Sequence, residues 1–391
     1  MNFPNWDGVT QQTTAEGPKK FEDLHRAITM AQIAKAASVS QGAISSMLND
    51  RNYGIRVSEK TRTHVFKICR EMGYIPNDLR ALVRMYPELG GFSLLIANNL
   101  TGGLTSPMVS RIASATILAL PSPSQTLPQN SEEAIALTPS QALSIAFYDP
   151  AIDYLAEGTN APGSVNTYVD SKFLIVGQPN LSLLELLTRR GLPVMQLGSD
   201  VALPGVVSFL PDYALASKLA IAHLHKLGHT NIGIVSGPFG SSDPKILDFN
   251  RGVRLACDEL GLKIDAQHIV YSDLTVEAGR AALDEILART PQPSAVFCMS
   301  DAVAVGLIER AQAQGVSVPE KLSVIGCGDD FEAQMVHPQL TTIRLPFEEM
   351  SRLAVAELDR IVHNTTPLIA RKIFVPLSLV ERASVAPPKS N

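Results

Sequence analysis

Cysteine, charge and long apolar runs are all scarce in this chain, and each scarcity removes a class of protein. Its four cysteines in 391 residues, Cys69, Cys257, Cys298 and Cys327, stand far apart without a CxxC pair. That spacing argues against a disulfide framework and a cysteine-based metal site, and it predicts reduced thiols in a cytosolic chain. No apolar run approaches the roughly 20 residues of a membrane span. The opening, MNFPNWDGVTQQTTAEGPKK, lacks the charged-then-apolar order of a signal peptide, so a cytoplasmic location is expected. The eight histidines are scattered; His223 and His225 share a helical pattern but not a face, so neither a metal pair nor a nucleophile with its base emerges. Gly326-Cys327-Gly328 has neither the third glycine nor the helix start of a dinucleotide fingerprint, and there is no P-loop. The expectation is a protein without catalytic activity, cofactor or metal.

Apolar residues make up 45% of the chain and charged residues 18%, the balance of a globular protein with a sizeable core. The length is too great for one ordinary core and suits a small module plus a domain of two lobes. Net charge is −5, but ten basic side chains face four acidic ones from Arg26 to Tyr86, which gives that stretch +6 and leaves −11 for the rest. A basic module on an acidic body suits a front end that lies on phosphates while the bulk stays off them. A merely solvated basic face would carry the same charge.

Residues 1–27 are polar and aperiodic, and read as a flexible extension with room for a short helix near Lys20 to His25. From Ile28 the pattern turns helical in three pieces, Met30–Ala36, Gln41–Leu48 and Glu59–Met72, preceded by Thr29, Ser40 and Ser58 as caps. Gly73-Tyr74-Ile75-Pro76 stops the third piece, and a short helix from Asn77 to Met85 can follow. These marks divide the chain into a headpiece at 28–75, a hinge at 76–89, a two-lobed domain at 90–384 and a tail at 385–391. Beyond Gly90, apolar runs begin at Phe92, Leu143, Lys172, Pro193, Gly205, Asn231, Ala295 and Leu322. Helical patterns at Ala214–Leu227, Asn250–Leu260, Thr275–Arg289, Ala302–Gln314 and Phe347–His363 lie among or after them. The alternation predicts the α/β class, with two doubly wound parallel sheets rather than one very large sheet. Pro121 to Ser140, crowded with Pro, Ser and Gln, reads as a surface loop.

ITMAQIAKAASVSQGAISSMLND, from Ile28 to Asp50, has the spacing of a helix-turn-helix. Ile33 and Ala34 pack inward, Val39 fills the turn, and Ile44 with Leu48 anchors the second helix, which leaves Gln41, Gly42, Ser45 and Ser46 facing outward toward a major groove. The continuation VSEKTRTHVFKICREMGYIPN, from Val57 to Asn77, closely resembles the headpiece of the lactose-repressor and galactose-repressor (LacI/GalR) family. KLGHTNIGIVSGP at 226, AVFCMSDAVAVG at 295, VPEKLSVIGCGDD at 318 and HPQLTTIRLP at 337 resemble the landmarks of that family's sensor domain, in order. From Gly91 to Leu197 the first lobe rests instead on βα alternation. The resemblance implies an all-α headpiece joined to a two-lobed, periplasmic-binding-protein-like sensor. It further implies a homodimer on double-stranded DNA at a near-palindromic operator, with a small effector between the lobes. An exported ligand-binding protein shares the two-lobed architecture, and the headpiece argues against it.

By position within the resemblance, Gln41, Gly42 and Ser46 face bases, while Thr29, Ser40, Ser45, Asn49, Ser58, Thr61 and Asn77 meet phosphates. For Ser40 and Ser58, simple helix capping is the competing role. Ser46 stands where family members commonly carry Arg, and Gly42 where they carry a polar side chain. The loop NDRNYGIR is longer than usual and adds Arg51 and Arg56. The family's apolar wedge into the minor groove falls on Val83, next to Leu82. Direct base readout is therefore expected to be weak.

The effector handles depart further. An Arg three residues before a glycine, used by the family's sugar-binding members, falls here on Phe249 ahead of Gly252, with Arg251 as the shifted alternative. Their stacking aromatic falls on Leu274, and their Asp after the strand at 322 falls on Gly328. Asp301 and Asp329 remain beside the cleft by the same count, although Asp301 also suits the N-cap of a helix from Ala302. Asn98 is placed there by the rule that ligands sit at strand carboxyl ends. An effector less polar than a sugar, or the loss of effector control, is the expectation.

Overall fold

A computed structural model of the chain describes residues 29–49, 57–72, 74, 90–100, 106–120, 143–156, 170–364 and 369–389. The expected extension, hinge helix and surface loop lie outside them, as do Asn77, Leu82 and Val83. Contacts separate two units, Met1–Tyr86 and Pro87–Asn391.

The first unit holds α1 (Met30–Ala36), α2 (Gln41–Asn49) and α3 (Glu59–Met72). Each starts on a hydroxyl. Thr29 and Gln32 form a capping box at α1, Ser40 Oγ accepts the Ala43 N–H at 3.1 Å, and Ser58 Oγ accepts the Thr61 N–H at 3.1 Å. Between α1 and α2 the chain turns through Ser38, at φ 54°. There the Val39 N–H donates to Ala34 O and the Ala37 N–H to Ile33 O, satisfying carbonyls that the helix end would otherwise leave open. Ile33, Ile44, Met47, Val65 and Cys69 close a small core.

The second unit is two parallel-sheet lobes. In chain order its elements are β1 (Gly91–Ala97), α4 (Pro107–Ala119), β2 (Leu143–Tyr148), β3 (Asp170–Val176), α5 (Leu181–Arg189), β4 (Val194–Leu197) and β5 (Val206–Pro211). Then come α6 (Tyr213–Lys226), β6 (Ile232–Ser236), α7 (Pro244–Leu260), β7 (Ile269–Tyr271), α8 (Val276–Leu287), β8 (Ala295–Cys298) and α9 (Asp301–Ala313). The series ends with β9 (Ser323–Gly328), α10 (Phe331–Met335), β10 (Thr341–Arg344), α11 (Phe347–Asn364), β11 (Arg371–Val375) and β12 (Ser378–Val380). Lobe one is the sheet β11-β5-β4-β3-β1-β2, and lobe two the sheet β12-β10-β9-β8-β6-β7. The chain crosses between them after β5, after β10 and after β11. Among the described strands only β12 pairs antiparallel. β4, β5, β6, β8 and β9 are buried along their whole lengths, which is why they read as unbroken apolar runs.

All eight expected strands form, and β7, β10, β11 and β12 are additional. α7 begins at Pro244, six residues before the expected Asn250, because Asp243 caps it and Pro244 occupies the first helical position. The segment read as a tail is bonded to lobe two, where Ala386 O accepts from Ser323 Oγ at 3.0 Å and lies 2.8 Å from His229 Nε2.

Candidate functional site

In the headpiece, Gln41 and Gly42 are exposed while Ser45 and Ser46 are half-buried. Ile44 and Met47 carry the inward face of α2. Met47 was missed by the sequence reading, which named Leu48 as the second anchor; the Leu48 and Asn49 side chains lie outside the described residues. Thr29, Ser40 and Ser58 all act as caps, and the Ser58 and Thr61 hydroxyl oxygens lie 2.7 Å apart. In the structure, Ser40 and Ser58 thus satisfy first-turn N–H groups of α2 and α3 in the capping role.

The five expected effector contacts separate. Phe249 is 0% exposed and packs on Phe297 with ring centroids 4.8 Å apart, so it belongs to the core and not to the cleft. Ile246, Phe249, Val253 and Ala256 on one face of α7 explain that placement. Leu274 is 38% exposed beside the Thr275 cap of α8. Asn98 is exposed at the end of β1, its N–H donating to Tyr148 O at 2.8 Å.

Asp301 and Asp329 do meet, around Thr342. Thr342 Oγ1 donates to Asp301 Oδ1 at 2.6 Å, and Asp301 Oδ2 accepts the Asp330 N–H at 2.8 Å. Asp301 is not the N-cap of α9; Ser300 is, accepting the Val303 N–H, and Asp301 turns inward one residue later. Burial pushes the Asp301 carboxyl up to about 7, against the Thr342 hydrogen bond. The Asp329 side chain is 1% exposed and bonded at 2.5 Å to both Arg344 and Arg382. Burial would raise its pKa, but the two guanidinium hydrogen bonds outweigh it and hold the pKa below the ordinary value. Both carboxylates are thus engaged inside the protein. Gly328, where an Asp handle would stand, has φ 150°, and a Cβ there would lie 2.9 Å from Asp330 Oδ2 and 3.1 Å from Asp301 Oδ2.

Sequence reasoning also missed Arg111, on α4 of lobe one. Its Nε and Nη2 donate to Glu348 at 2.7 and 2.8 Å, Nη1 to Gly328 O at 2.8 Å, and Nη2 to Leu345 O at 2.8 Å. Asp330 Oδ1 stands 3.4 Å from Nη1, and the Phe347 ring lies under the guanidinium. Burial pushes Asp330 up to about 6 in spite of Arg111. Tyr213, on the first crossing, is half-buried near Cys327, Asp243 and Asp330, and its partial removal from water raises its phenol pKa. The junction between the lobes is consequently charged and internally paired. Among the described residues no group of His, Cys, Asp and Glu could hold a metal ion.

Residues 29–77 match the description "Bacterial regulatory proteins, lacI family", and residues 221–385 a periplasmic binding protein-like domain. The chain is 28% identical to the HTH-type transcriptional regulator DegA of Bacillus subtilis, over 92% of its own length and 98% of DegA. It is 29% identical to the HTH-type transcriptional repressor CytR of Escherichia coli, over 86% and 90% respectively. Its fold matches the lac repressor dimer bound to operator and the anti-inducer ONPF at a TM-score of 0.58, with 19% identity over 92% of this chain and 100% of that one.

Proposed function

The chain belongs to the lacI family of bacterial regulatory proteins, and on that premise we propose that it is a homodimeric cytoplasmic repressor answering to an effector less polar than a sugar. It is a DNA-binding transcription regulator with an effector-binding domain, and not an enzyme. In this reading Gln41, Gly42 and Ser46 lie over base edges of a near-palindromic operator. Thr29, Ser40, Ser45, Asn49, Ser58, Thr61 and Asn77 hold phosphates, and Leu82 or Val83 supplies the wedge. The repressor assignment follows CytR, which is named a repressor.

A second copy of the chain fits the exposed apolar surface of the sensor. Leu94 pairs with Ile145 across parallel strands and packs in the same core as Val109 and Ile112 of α4. Exposed Ile145 and Phe147 therefore share the sheet face covered by α4, which itself exposes Ile117 and Leu118. Leu118, 86% exposed, and Phe331 of α10, 70% exposed, line one groove of about 920 Å³. Apolar surface spread over both lobes in this way marks a protein interface, and dimers are the commonest assembly.

The effector reading is carried by one observation: the carboxylates beside the cleft are bonded to the protein itself, and the position of the Arg handle is a core phenylalanine. A buried sugar hydroxyl left without a partner costs about 1–3 kcal/mol. Calorimetry against common mono- and disaccharides should show no binding, and micromolar affinity for any of them would overturn the reading. A gel shift on the region upstream of the chain's own gene tests the regulator itself. A second reading, in which effector control has been lost, is favoured by the saturated Arg111 at the lobe junction.

A further inference from the structure

We propose that Arg111 is a latch that fixes the angle between the lobes in the ligand-free chain, so that the protein itself sets what an effector sets in other two-lobed sensors. The proposal rests on the reading of residues 90–384 as that sensor. Arg111 leaves α4, in lobe one, and its side chain is only 16% exposed. Its Nη1 reaches the last residue of β9 in lobe two, Gly328 O at 2.8 Å, with Asp330 Oδ1 at 3.4 Å. Its Nη2 holds Leu345 O, on the second crossing, and Nε with Nη2 grips Glu348 in the first turn of α11, the helix that packs on α4.

One side chain thus binds lobe one, lobe two and the second crossing together, and all three of its nitrogens are used. Rotation of lobe two about the crossings has to break the bonds to Gly328 and Asp330, and it would leave Nη1 without a partner in a half-buried site while Glu348 keeps the charge paired. Only a planar fork can make this set of bonds at once; a lysine in its place keeps the charge and loses the geometry. Asp329 and Arg344 also carry charge at this junction, but they bond to each other. They do not substitute for Arg111. It is a positioning residue and need not touch a ligand.

The test is an interlobe distance measured by pulsed electron spin resonance on the full chain. Spin labels go on Leu181→Cys in lobe one and Lys263→Cys in lobe two, both exposed, while the four native cysteines are buried and stay unlabelled. With Arg111 intact, one narrow distance is expected without any ligand. In Arg111→Met a shifted or second distance should appear, with Arg111→Lys intermediate. Should Arg111→Met not fold, Asp330→Asn, which weakens only the lobe-two end, should broaden the distribution. An unchanged narrow distance in the folded variant would overturn the latch. No DNA enters the measurement, so a failed gel shift and a failed latch are separate results.

Discussion

Replacing Asp329 with alanine removes a carboxylate that is 1% exposed and bonded at 2.5 Å to Arg344 and Arg382. Removing one partner of a buried pair costs about 3–5 kcal/mol. Arg344 is half exposed and regains water when released, so its share falls toward the roughly 0–1 kcal/mol of a surface pair. Arg382 is 12% exposed and so carries most of the loss, offset in part by the bond it keeps to Leu340 O. Asp329 sits at φ 56°, a left-handed conformation that Asp tolerates better than Ala, which adds on the order of 1 kcal/mol. The sum is about 3 kcal/mol, and at roughly 2–4 °C per kcal/mol for a large domain the melting temperature should fall by about 6–12 °C. Asp329→Asn, which keeps an acceptor and tolerates the backbone, should lose about half as much. Thermal unfolding followed by circular dichroism reads both. An Asp329→Ala protein that melts as before but loses its effector would refute the reasoning and make Asp329 a ligand contact.

Because the Asp301 pKa is raised to about 7 in the folded chain, folding binds a proton between the ordinary carboxylate pKa and pH 7. Stability from this group is complete at low pH and is lost as pH rises through that window. Asp301→Asn, which mimics the protonated form, should therefore melt higher relative to wild type at pH 8 than at pH 5, and a constant difference would contradict the assignment. Asp329, whose pKa is depressed, works in the opposite sense, and its contribution is lost on acidification. Gly306→Ala places a Cβ 1.9 Å from Val276 O, where α8 and α9 touch. Overpacking of about 1–3 kcal/mol should exceed the roughly 1 kcal/mol gained in helix propensity, read as a lower denaturant midpoint. Operator affinity should fall steeply with salt, and the ratio of operator to random-DNA affinity at physiological salt should stay below about 10⁵ if few side chains read bases. Leu82→Ala with Val83→Ala should weaken operator binding more than nonspecific binding, and equal losses would show that neither side chain wedges between base pairs.

The headpiece was legible because its helices announce themselves locally: hydroxyl caps, apolar spacing and Val39 in the turn all lie within a few residues of one another. Seven of the eight expected strands were legible as buried apolar runs, and β2, a partly exposed edge strand, as an apolar run that is mostly not buried. β7 and β12 were not legible, since three residues leave no period to read; β10 has one apolar residue in four, and β11 is a partly exposed edge strand. Phe249 could have been placed correctly, because its helical spacing with Ile246, Val253 and Ala256 puts it on the core face; positional correspondence with a sugar-binding Arg overrode that signal. Ser300 and Asp301 are both good N-caps, and only the fold, which turns Asp301 onto Thr342, decides between them. The Arg111 junction was out of reach, because its partners lie 217 to 237 residues away in the chain.

The most direct measurement is selection of bound sites from random double-stranded DNA, followed by the stoichiometry of the selected complex in analytical ultracentrifugation. A two-fold related pair of headpieces predicts an enriched near-palindrome carrying two chains per site, lost on Gln41→Ala in both half-sites at once. No enrichment, or an asymmetric site carrying one chain, would contradict the account.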